Sequence, residues 1–582
     1  MFGPPCSNPV RLRLIGTCGH LGAAQAGQAR VPNGGCPVRA VVDLTRCQGY
    51  GQCAFLAPDV FQMHGQEALM YDLDPDGDQR ERVLRAAAAC PVQALHVEQA
   101  SREGGGTADS SSARITPEVP RARTGNGAGL GQTSRIVIVG ASLAGARAAS
   151  VLRRDGFTGS LTLIEDENHD PYDRPPLSKQ VLSGWIPPDH TMLPHLRRFD
   201  AEWLRGQRAT GLDLEDKRVR LADGSEVAFD RLLIATGVRA RPWPNKEEAA
   251  LDGMFMVHTM EDAASFRQRI AQHTGRVLVI GGGFTGSEVA SVCREQGLPV
   301  TVVERGQAPL AGALGGAMGA IAADLQRAHG VDLRCGVSIT RLEGDADGRL
   351  RRAHLSDGDT LDVEVAVAAL GSARNVEWLQ GSGLAFGVWG VGCDAGCRAF
   401  DVNGLVTDDI FVAGDVARFP HPVYRYQFLA LEHWGNAVAQ AEVAAHNMIS
   451  DQARRWPHLA LPVFWSSQFG INIKSVGVPT LADEVVITQG STAKHRFVAA
   501  YGYHGRVTAA VTFDQAMWLD HYRRLIENAA PFPPKFSGVD PPGSTEPVPA
   551  EVPDHFQAGL QATVVLTGHD PAERRAELVH GQ

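Results

Sequence analysis

Two short glycine turns constrain most strongly how this chain of 582 residues can fold. Ile136–Gly145 has the sequence IVIVGASLAG and Val277–Gly286 has VLVIGGGFTG, so each turn follows directly on a run of apolar residues. A glycine at such a turn lets a pyrophosphate approach backbone N–H groups at a helix N-terminus, because a Cβ there would block the approach. The pattern predicts two strand–turn–helix units and two dinucleotide-binding sites in one polypeptide.

The second glycine turn is the more regular one. Gly281, Gly283 and Gly286 occupy its three glycine positions, and Glu304 ends the next apolar run, where a carboxylate can bind ribose hydroxyls. The first turn has Ser142 at the middle glycine position, and because serine is small we expect a slightly displaced diphosphate and a site that is retained. One such motif is a weak signal, but two, each followed by an acidic residue, are more specific.

Length and charge limit the classes of protein to which the chain can belong. Because 582 residues exceed what one hydrophobic core serves, we expect several domains. The sequence has no uninterrupted apolar stretch of about 18 residues, so we predict a cytoplasmic protein with no membrane span. A net charge of −10 with dispersed arginines disfavours nucleic acid and favours a protein partner with a basic docking face.

The cysteines are concentrated at the front, since six of the ten precede residue 91. An iron–sulfur cluster needs thiolates from a tight loop and a remote cysteine, often followed by proline. Cys47, Cys53 and Cys90, the last followed by Pro91, have this layout, and three thiolates suit a three-iron cluster. Tyr50 stands where a four-cysteine pattern has its further cysteine, so a four-iron cluster with another fourth ligand stays open. A module with buried cysteines and no metal also stays open. Zinc is less favoured, because structural zinc sites use short cysteine pairs and a fourth ligand.

The cysteine segment Val38–Val97, with its phrase CQGYGQCAFLAPDVF, resembles the single-cluster ferredoxins of actinobacterial type. The resemblance implies that Cys47, Cys53 and Cys90 are metal ligands and favours a 3Fe-4S over a 4Fe-4S cluster. Nine acidic and five basic residues between Arg39 and Glu98 give the segment a net charge of −4, which would steer it toward basic redox partners.

A longer region, from Arg135 to about Pro531, is similar to the FAD-dependent pyridine-nucleotide ferredoxin reductases. Besides the glycine turns, the motifs that match are PYDRPPLSK (Pro171–Lys179), ATG (Ala235–Gly237), GSARNVEWL (Gly371–Leu379), AGDVA (Ala413–Ala417), EHWGNA (Glu432–Ala437) and FWSSQFG (Phe464–Gly470). The resemblance implies a multidomain fold, with an α+β ferredoxin module, two Rossmann-like α/β domains of which the NAD domain is inserted into the FAD domain, and a C-terminal α+β domain.

Composition and this resemblance together predict the domain boundaries. The predicted units are a disordered leader (1–37, or a start assigned too far upstream), an iron–sulfur ferredoxin domain (38–100), a flexible glycine-, serine- and proline-rich linker (101–133), an FAD-binding domain (134–246 and 372–457), an NAD-binding domain (247–371), a C-terminal domain (458–531) and a mobile tail (532–582). The linker would give a span of about 30 Å between the domains that it joins.

Roles in FAD binding follow residue by residue from the resemblance. The implied FAD contacts are Gly140, Ser142, Ala144 and Gly145 at the diphosphate, Asp166 with Glu165 beside it at the adenosine ribose, Arg174, Lys179 near the reactive flavin nitrogen, Asp415 at the ribityl chain, Trp434 against the isoalloxazine, and Ala209 and His258 at less specific positions.

On the nicotinamide side, Gly281, Gly283 and Gly286 would hold the diphosphate, and Glu288 would point toward the carboxamide. Glu304 would select NADH over NADPH by repelling a 2′-phosphate, and Arg305 beside it would temper that choice. We therefore assign catalytic roles to Lys179 and Glu288.

The resemblance implies an NADH-dependent ferredoxin reductase whose FAD takes a hydride and releases single electrons to the fused cluster. We expect the final acceptor to be an external monooxygenase of the cytochrome P-450 class. Two alternatives remain open at this point, namely a Rieske-type ring-hydroxylating oxygenase as acceptor, and an NADH redox-sensing module with little turnover.

Overall fold

The computed structural model describes residues 38–65, 67–90, 92–99, 133–193, 199–272, 275–534, 562–567 and 575–580. The predicted leader, and the predicted linker apart from Thr133, lie outside these residues. Within the described ranges, no helix combines the length and the apolar run needed to cross a bilayer.

The front module is a small α+β unit. Its elements are β1 (Val38–Val42), α1 (Gln52–Leu56), β2 (Phe61–His64), β3 (Ala68–Tyr71), α2 (Arg80–Ala89) and β4 (Leu95–Gln99). β1 pairs antiparallel with β4, and β2 with β3. Val83 and Ala86, one helical turn apart on α2, face a core that includes Phe61 and Tyr71. The same buried cluster continues into Ala146 of the next domain, so the module rests on the body of the protein.

The first glycine turn opens an α/β domain. Its first part contains β5 (Arg135–Val139), α3 (Leu143–Arg154), β6 (Ser160–Glu165), α4 (Gln180–Ser183), β7 (Glu202–Arg205), β8 (Ala209–Asp213), β9 (Arg218–Leu221), β10 (Glu226–Ala228), β11 (Arg231–Ile234) and β12 (Val238–Ala240). β11, β5, β6 and β7 are parallel neighbours, and residues 136–139 of β5 are all buried, as expected for a strand covered on both faces.

The second glycine turn lies in the next unit. This unit contains α5 (Lys246–Ala249), β13 (Met254–Phe255), α6 (Met260–Ala271), β14 (Val277–Ile280), α7 (Phe284–Glu295), β15 (Val300–Glu304), α8 (Ala311–Leu314), α9 (Gly316–Ala328), β16 (Asp332–Cys335), β17 (Ile339–Gly344), β18 (Leu350–Leu355), β19 (Thr360–Asp362) and β20 (Val365–Ala368). Its parallel sheet has the order β13-β20-β14-β15-β16. Thr259 and Asp262 form a capping box that fixes the start of α6.

The chain then returns to the first sheet. The returning elements are β21 (Ser372–Arg374), β22 (Phe386–Gly387), β23 (Gly390–Gly392), β24 (Arg398–Phe400), β25 (Val406–Val412), β26 (Ala417–His421), β27 (Gln427–Leu429) and α10 (Trp434–Ile449). β25 pairs parallel with β11, which gives the sheet order β24-β25-β11-β5-β6-β7. The strands of one sheet are thus provided from both sides of the second unit.

An antiparallel sheet with a helix follows. Its elements are β28 (Val463–Gln468), β29 (Ile471–Gly477), β30 (Glu484–Ser491), β31 (Arg496–Tyr503), β32 (Arg506–Phe513) and α11 (Leu519–Glu527), with β33 (Ala562–Thr567) and β34 (Arg575–His580) at the edge next to β30. The prediction of a mobile tail over 532–582 does not account for β33 and β34. Their sequences, ATVVLT and RAELVH, are rich enough in β-branched and apolar residues to extend an open sheet edge.

Candidate functional site

A cavity of about 1330 Å³ lies between the two glycine turns and reaches the antiparallel sheet. The predicted residues that line it are Gly140, Ser142, Ala144, Glu165, Asp166, Arg174, Lys179, Ala209, His258, Gly283, Glu288, Asp415 and Trp434. The predicted residues Gly145, Gly281, Gly286, Glu304 and Arg305 are not among its lining residues. The structure therefore brings most of the predicted site residues together around one cavity. Gly145, Gly281 and Gly286 instead lie where backbone segments pack closely.

At the first glycine turn, two glycines allow backbone segments to approach more closely than a Cβ would permit. Gly140 has φ +94°, and a Cβ there would lie 2.2 Å from the carbonyl oxygen of Ala235. At Gly145 a Cβ would lie 1.8 Å from the carbonyl oxygen of Gly140. Gly145 thus lets α3 pack on the turn, while Ser142, at the N-cap of α3, faces the cavity.

The acidic residue next to the first turn is Glu165, at the end of β6. Its carboxylate accepts hydrogen bonds from the backbone N–H groups of Ala141, at 2.6 Å, and Asp166, at 3.0 Å. Asp166 instead pairs with Arg208 and has a half-exposed side chain. Of these two adjacent acidic residues, both of which line the cavity, Glu165 is the one that bonds to the backbone of the turn. Burial raises the pKa of Glu165.

The second turn repeats the same arrangement. Glu304, at the end of β15, accepts hydrogen bonds from the backbone N–H groups of Gly282, at 2.6 Å, and Gly306, at 2.5 Å. A Cβ at Gly281 (φ +108°) would lie 2.3 Å from the carbonyl oxygen of Ala369. A Cβ at Gly283 would meet no atom within 4 Å, so its backbone faces open space at the N-cap of α7, where a diphosphate fits.

Two further predicted residues of the second turn have no place in the cavity wall. Gly286 provides close packing between α7 and its turn, since a Cβ there would lie 2.0 Å from the carbonyl oxygen of Gly281. Arg305 is exposed.

Lys179 and Glu288 meet at the centre of the cavity. Lys179 Nζ lies 2.7 Å from Glu288 Oε2, and their side chains are 15% and 6% exposed. Glu288 also accepts hydrogen bonds from the hydroxyls of Ser178, at 2.5 Å, and Ser466, at 2.6 Å. The amide of Gln468 donates to Ser466 Oγ at 3.1 Å. Residues from all three folded units of the body thus fix one carboxylate.

Sequence reasoning did not single out Ser178, Ser466 or Gln468. They lie within two quoted motifs, PYDRPPLSK and FWSSQFG, so the signal was present. What it did not reveal was that these motifs meet at Glu288.

Trp434 is oriented by a buried carboxyl group. Its indole N–H donates to Asp173 Oδ1 at 3.0 Å, and burial raises the pKa of Asp173 to about 6. Asp415 lies on the same wall of the cavity. Burial, and to a smaller extent the charge of Glu432, raises the pKa of Asp415 to about 7. Both carboxyl groups can therefore take up a proton close to neutral pH.

His258 and Arg174 complete this part of the wall. His258 Nε2 lies 3.0 Å from the carbonyl oxygen of Val238, and burial lowers the pKa of His258 to about 4, so its ring is neutral at physiological pH. Arg174 donates to the carboxylate of Glu167 at 2.6 Å and to the carbonyl oxygen of His258 at 2.8 Å. Ala209 adds apolar surface without a polar contact of its side chain.

The three predicted metal ligands line a second, small cavity together. Cys47, Cys53 and Cys90 surround it with Tyr50, whose hydroxyl donates to Gln48 at 3.0 Å. The backbone N–H of Ala94 donates to Cys90 Sγ at 3.3 Å. Glycines 49 and 51, with φ of +70° and +68°, allow the tight loop between the first two cysteines.

Three thiols form a donor set that suits an iron–sulfur cluster. Among the described residues, no group of three His, Cys, Asp or Glu side chains is arranged to hold one metal ion. In an iron–sulfur cluster each thiolate binds a different iron atom, so three thiols around a common space fit it. Burial raises the pKa of Cys53 to about 11, so metal binding would have to stabilise its thiolate.

The two cavities are connected by side chains that they share with a third cavity between them. Trp465 lines both the large cavity and the intervening one. Leu69 lines both the intervening cavity and the cysteine cavity. Tyr71 and Leu44 line the space between the two. One intervening cavity, lined by Lys179 and by Leu69, thus lies between the large cavity and the cysteine cavity.

Three known protein families match separate parts of the chain. The pyridine nucleotide-disulphide oxidoreductase family matches residues 134–441, and the reductase C-terminal family matches 463–541. The family described as the 4Fe-4S single cluster domain of ferredoxin I matches residues 42–97.

Similar proteins include electron-transfer reductases from several bacteria. A probable ferredoxin reductase, CtmF, of Castellaniella defragrans is 34% identical over 403 residues, 67% of this chain and 93% of the relative. The biphenyl dioxygenase system ferredoxin–NAD(+) reductase component of Paraburkholderia xenovorans is 30% identical, with coverage of 67% and 92%. Putidaredoxin reductase CamA of Pseudomonas putida is 30% identical, with coverage of 69% and 94%.

A solved structure from a similar protein also aligns with this chain. The covalent putidaredoxin reductase–putidaredoxin complex aligns with a TM-score of 0.64 and 28% identity, over 69% of this chain and 94% of that chain. The chain that resembles these relatives also has the site described above. That site has two glycine turns, an acidic residue bonded to each turn, and the pair Lys179 and Glu288. We conclude that the chain belongs to the pyridine nucleotide-disulphide oxidoreductase family and is an NADH-dependent FAD oxidoreductase of the ferredoxin reductase type, joined to an iron–sulfur ferredoxin domain.

Proposed function

We propose that this chain is a fusion of a ferredoxin reductase with its own ferredoxin, which passes electrons from NADH through FAD to its cluster and from there to an external monooxygenase of the cytochrome P-450 class. The observation that carries the proposal is the seating of the front module beside the large cavity. Trp465 and Leu69 connect the two cavities through the one that lies between them. Electrons can cross a few layers of packed side chain without a step in which two proteins must first meet.

The roles of residues around the large cavity follow from their contacts. Glu165 and Glu304, each held by the backbone N–H of a glycine turn, would orient the ribose hydroxyls of FAD and NADH. Gly140 and Ser142 would face the FAD diphosphate, and Gly283 the NADH diphosphate. Asp415 faces the cavity beside α10, where it would accept from the ribityl chain.

Lys179 and Glu288 would position the reacting rings. When bound, FAD accepts a hydride from NADH and delivers single electrons onward. Glu288 would orient the nicotinamide carboxamide while Ser178 and Ser466 hold its carboxylate still. The Lys179 ammonium would place a positive charge beside the flavin, and Trp434, fixed by its bond to Asp173, would cover the ring.

We propose a 3Fe-4S cluster held by Cys47, Cys53 and Cys90. Support comes from Tyr50, which lines the cysteine cavity and stands where a four-cysteine pattern has its further thiolate. Its phenol hydroxyl donates to Gln48, and its side chain is 53% exposed. The family match names a 4Fe-4S domain, so a four-iron cluster with a different fourth ligand is the alternative.

The final acceptor is proposed from the module's charge and from the relatives. The module has a net charge of −4, which suits an acceptor with a basic docking face. Putidaredoxin reductase is among the similar proteins. A second candidate, a ring-hydroxylating dioxygenase, is favoured by the similar reductase components of the p-cumate and biphenyl dioxygenase systems.

The experiment that tests the internal relay is anaerobic electron paramagnetic resonance before and after NADH is added. In the wild-type protein we expect the signal of an oxidised three-iron cluster, which disappears with NADH, together with bleaching of the flavin. Cys90→Ala should lose the cluster signal and the reduction of added cytochrome c, yet keep flavin bleaching. Cys293→Ala, at a buried cysteine outside both cavities, is the matched control.

The outcomes separate the parts of the proposal. A wild-type cluster that NADH leaves oxidised would overturn the relay. Absence of the three-iron signal from the wild type would contradict the iron count. Loss of this signal on Tyr50→Cys, which adds a fourth thiolate, would support Tyr50 as the residue at the fourth-ligand position, whereas an unchanged signal would contradict that position. Reduction of a cytochrome P-450 but not of a dioxygenase by the same protein would settle the acceptor class.

A further inference from the structure

A lysine of the antiparallel sheet is buried against the front module. Lys474, in the middle of β29, is 2% exposed. Its ammonium donates hydrogen bonds to the backbone carbonyl oxygens of Leu44, at 3.0 Å, and Cys47. Both acceptors belong to the other module, more than 400 positions away in the sequence. A buried ammonium is costly unless it is fully hydrogen-bonded, so this lysine is satisfied only while the two modules are together.

A glutamate makes the reciprocal contact. Glu67, between β2 and β3 of the front module, is 9% exposed. Its carboxylate accepts a hydrogen bond from the backbone N–H of Ala516, which follows β32, at 2.9 Å. Each module therefore buries one ionisable side chain in the other, and both side chains lie on the same interface. If the two modules separated, water would have to solvate both the Lys474 and the Glu67 side chain.

The two modules also approach each other closely at two glycines. A Cβ at Gly65 would lie 1.7 Å from the carbonyl oxygen of Gly470, so only glycine lets the two turns meet. A Cβ at Gly435, on α10, would lie 3.1 Å from Thr45 Cγ2. Such an approach is typical of a permanent interface with the packing of a protein interior.

The rim of the interface is polar. Gln48 donates to Asp520 at 2.9 Å, and His190 Nδ1 lies 2.9 Å from Asp72 Oδ1. These contacts are at least partly exposed, and exposed polar pairs contribute little by themselves. The buried pair Lys474 and Glu67 is therefore the part of the interface that distinguishes a docked module from a separated one.

We propose that Lys474 and Glu67 form a latch that holds the front module on the antiparallel sheet, and that the Lys474 ammonium at the carbonyl of Cys47 makes docking and one-electron reduction of the cluster favour each other. This rests on the proposed function in one respect, namely that a cluster is bound by Cys47, Cys53 and Cys90. Reduction adds one electron and one negative charge to the cluster, and no bond forms or breaks. A cation held at the carbonyl of one ligand stabilises that added charge.

Reciprocity follows from thermodynamics. If docking favours the reduced cluster by a given factor, reduction favours the docked module by the same factor. The module would thus be held most tightly after it has received an electron. Lys474 is a positioning residue in this account, because it acts through Cys47 and does not touch the cluster itself.

The test is a redox titration of the full chain with dithionite, followed by electron paramagnetic resonance. Lys474→Met should lower the reduced-to-oxidised ratio of the cluster at a given potential about tenfold, which is about 59 mV for a one-electron couple. Lys246→Met removes the same charge from an exposed helix, α5, and should leave the ratio unchanged.

Hydrogen exchange tests the latch independently of potential. Amides of β29 and of residues 44–47 should exchange at least tenfold faster in Lys474→Met than in the wild type. In the wild type, exchange there should be slower after dithionite reduction than before, and this difference should vanish in Lys474→Met. Glu67→Ala, which removes the acceptor of the Ala516 N–H, should also accelerate exchange and serves if Lys474→Met fails to fold.

Two results would overturn the proposal. One is a cluster ratio in Lys474→Met equal to that of the wild type, and the other is interface exchange unaffected by either variant. Because dithionite replaces NADH, failure of the latch is distinguishable from failure of the relay. A wild-type cluster that dithionite reduces and NADH does not would overturn the proposed function and leave the latch standing.

Discussion

The two glycine turns use one backbone arrangement in two different surroundings. In each, a carboxylate at the end of the second strand accepts from a backbone N–H of the turn at 2.6 Å, through Glu165 in the first and Glu304 in the second. Around the first turn, Gly140, Ser142 and Glu165 all face the large cavity. Around the second, Gly283 faces it and Glu304 does not. We expect the first turn to hold a cofactor that stays enclosed and the second turn to hold one that enters and leaves.

The sharpest way to break this comparison is to add one methyl group to each turn. Gly140→Ala should abolish stable FAD binding, with more than a tenfold loss of flavin in the purified protein. The reason is that the new Cβ would lie 2.2 Å from the carbonyl oxygen of Ala235 at a φ of +94°. Gly281→Ala should keep its flavin and raise the KM for NADH about tenfold, or about 1.4 kcal/mol. Flavin absorbance and steady-state kinetics measure the two effects.

A third glycine provides the control for backbone strain. Gly348 has φ +75° in the turn between β17 and β18, and a Cβ there would meet no atom within 4 Å. Gly348→Ala should therefore change neither flavin content nor KM. Equal loss of flavin in the variants at Gly140 and Gly281 would contradict the distinction between an enclosed and an exchanging site.

A smaller effect is expected at the two carboxylates. Glu304→Gln should lower kcat/KM for NADH about tenfold and leave that for NADPH unchanged or higher, because a neutral amide no longer repels a 2′-phosphate. Glu165→Gln should leave the ratio of NADH to NADPH activity unchanged and make FAD easier to remove. Kinetics with both nucleotides decide the matter, with Glu343→Gln on β17, outside the lining of the large cavity, as control. An equal fall with NADH and NADPH in Glu304→Gln would point to local collapse of the turn.

The last expected effect is on stability as a function of pH, and it concerns only the enclosed side of the comparison. Burial raises the pKa of Asp173 to about 6, from an ordinary value near 4 in the unfolded chain. The folded protein therefore holds a proton that the unfolded chain has lost, and stability falls as pH rises from about 4 to about 6. About two pKa units correspond to no more than about 3 kcal/mol. Asp173→Asn should remove this contribution.

Thermal midpoints of the flavin-free protein at pH 4 and pH 6 measure the effect. The wild type should lose more of its midpoint over this range than Asp173→Asn does. Parallel midpoints in the two proteins would show that Asp173 is protonated to the same extent in the folded and unfolded states. Asp166→Asn, at an exposed carboxylate paired with Arg208, is the matched control.

Local patterns were sufficient to predict the parts of the site that lie near one another in sequence. Apolar runs before Gly140 and Gly281 predict buried strands, and Cys47 and Cys53 predict a tight loop, because a few neighbouring residues decide these conformations. Most of the residues that the family resemblance implies as FAD and NADH contacts line one cavity. The sequence did not distinguish Glu165 from Asp166, since the two are adjacent and only the direction of β6 selects between them.

Contacts between distant segments were not predictable. The hydroxyl of Ser466 meets Glu288 across 178 positions, and the indole of Trp434 meets Asp173 across 261. β33 and β34 fall within the predicted mobile tail, and β33 pairs with β30, which is distant from it in sequence. Each of these depends on which surfaces meet, and no local pattern encodes that choice.

The sequence by itself determined that this chain has two dinucleotide turns, a cysteine loop and a reductase body, because each is specified by residue types at fixed short spacings. The tertiary structure alone decided that Lys474 and Glu67 are buried between the modules and that Trp465 and Leu69 connect the cavities. The physical reason is that burial of a charge is favourable only when distant partners satisfy it, and those partners exist only after the chain has folded.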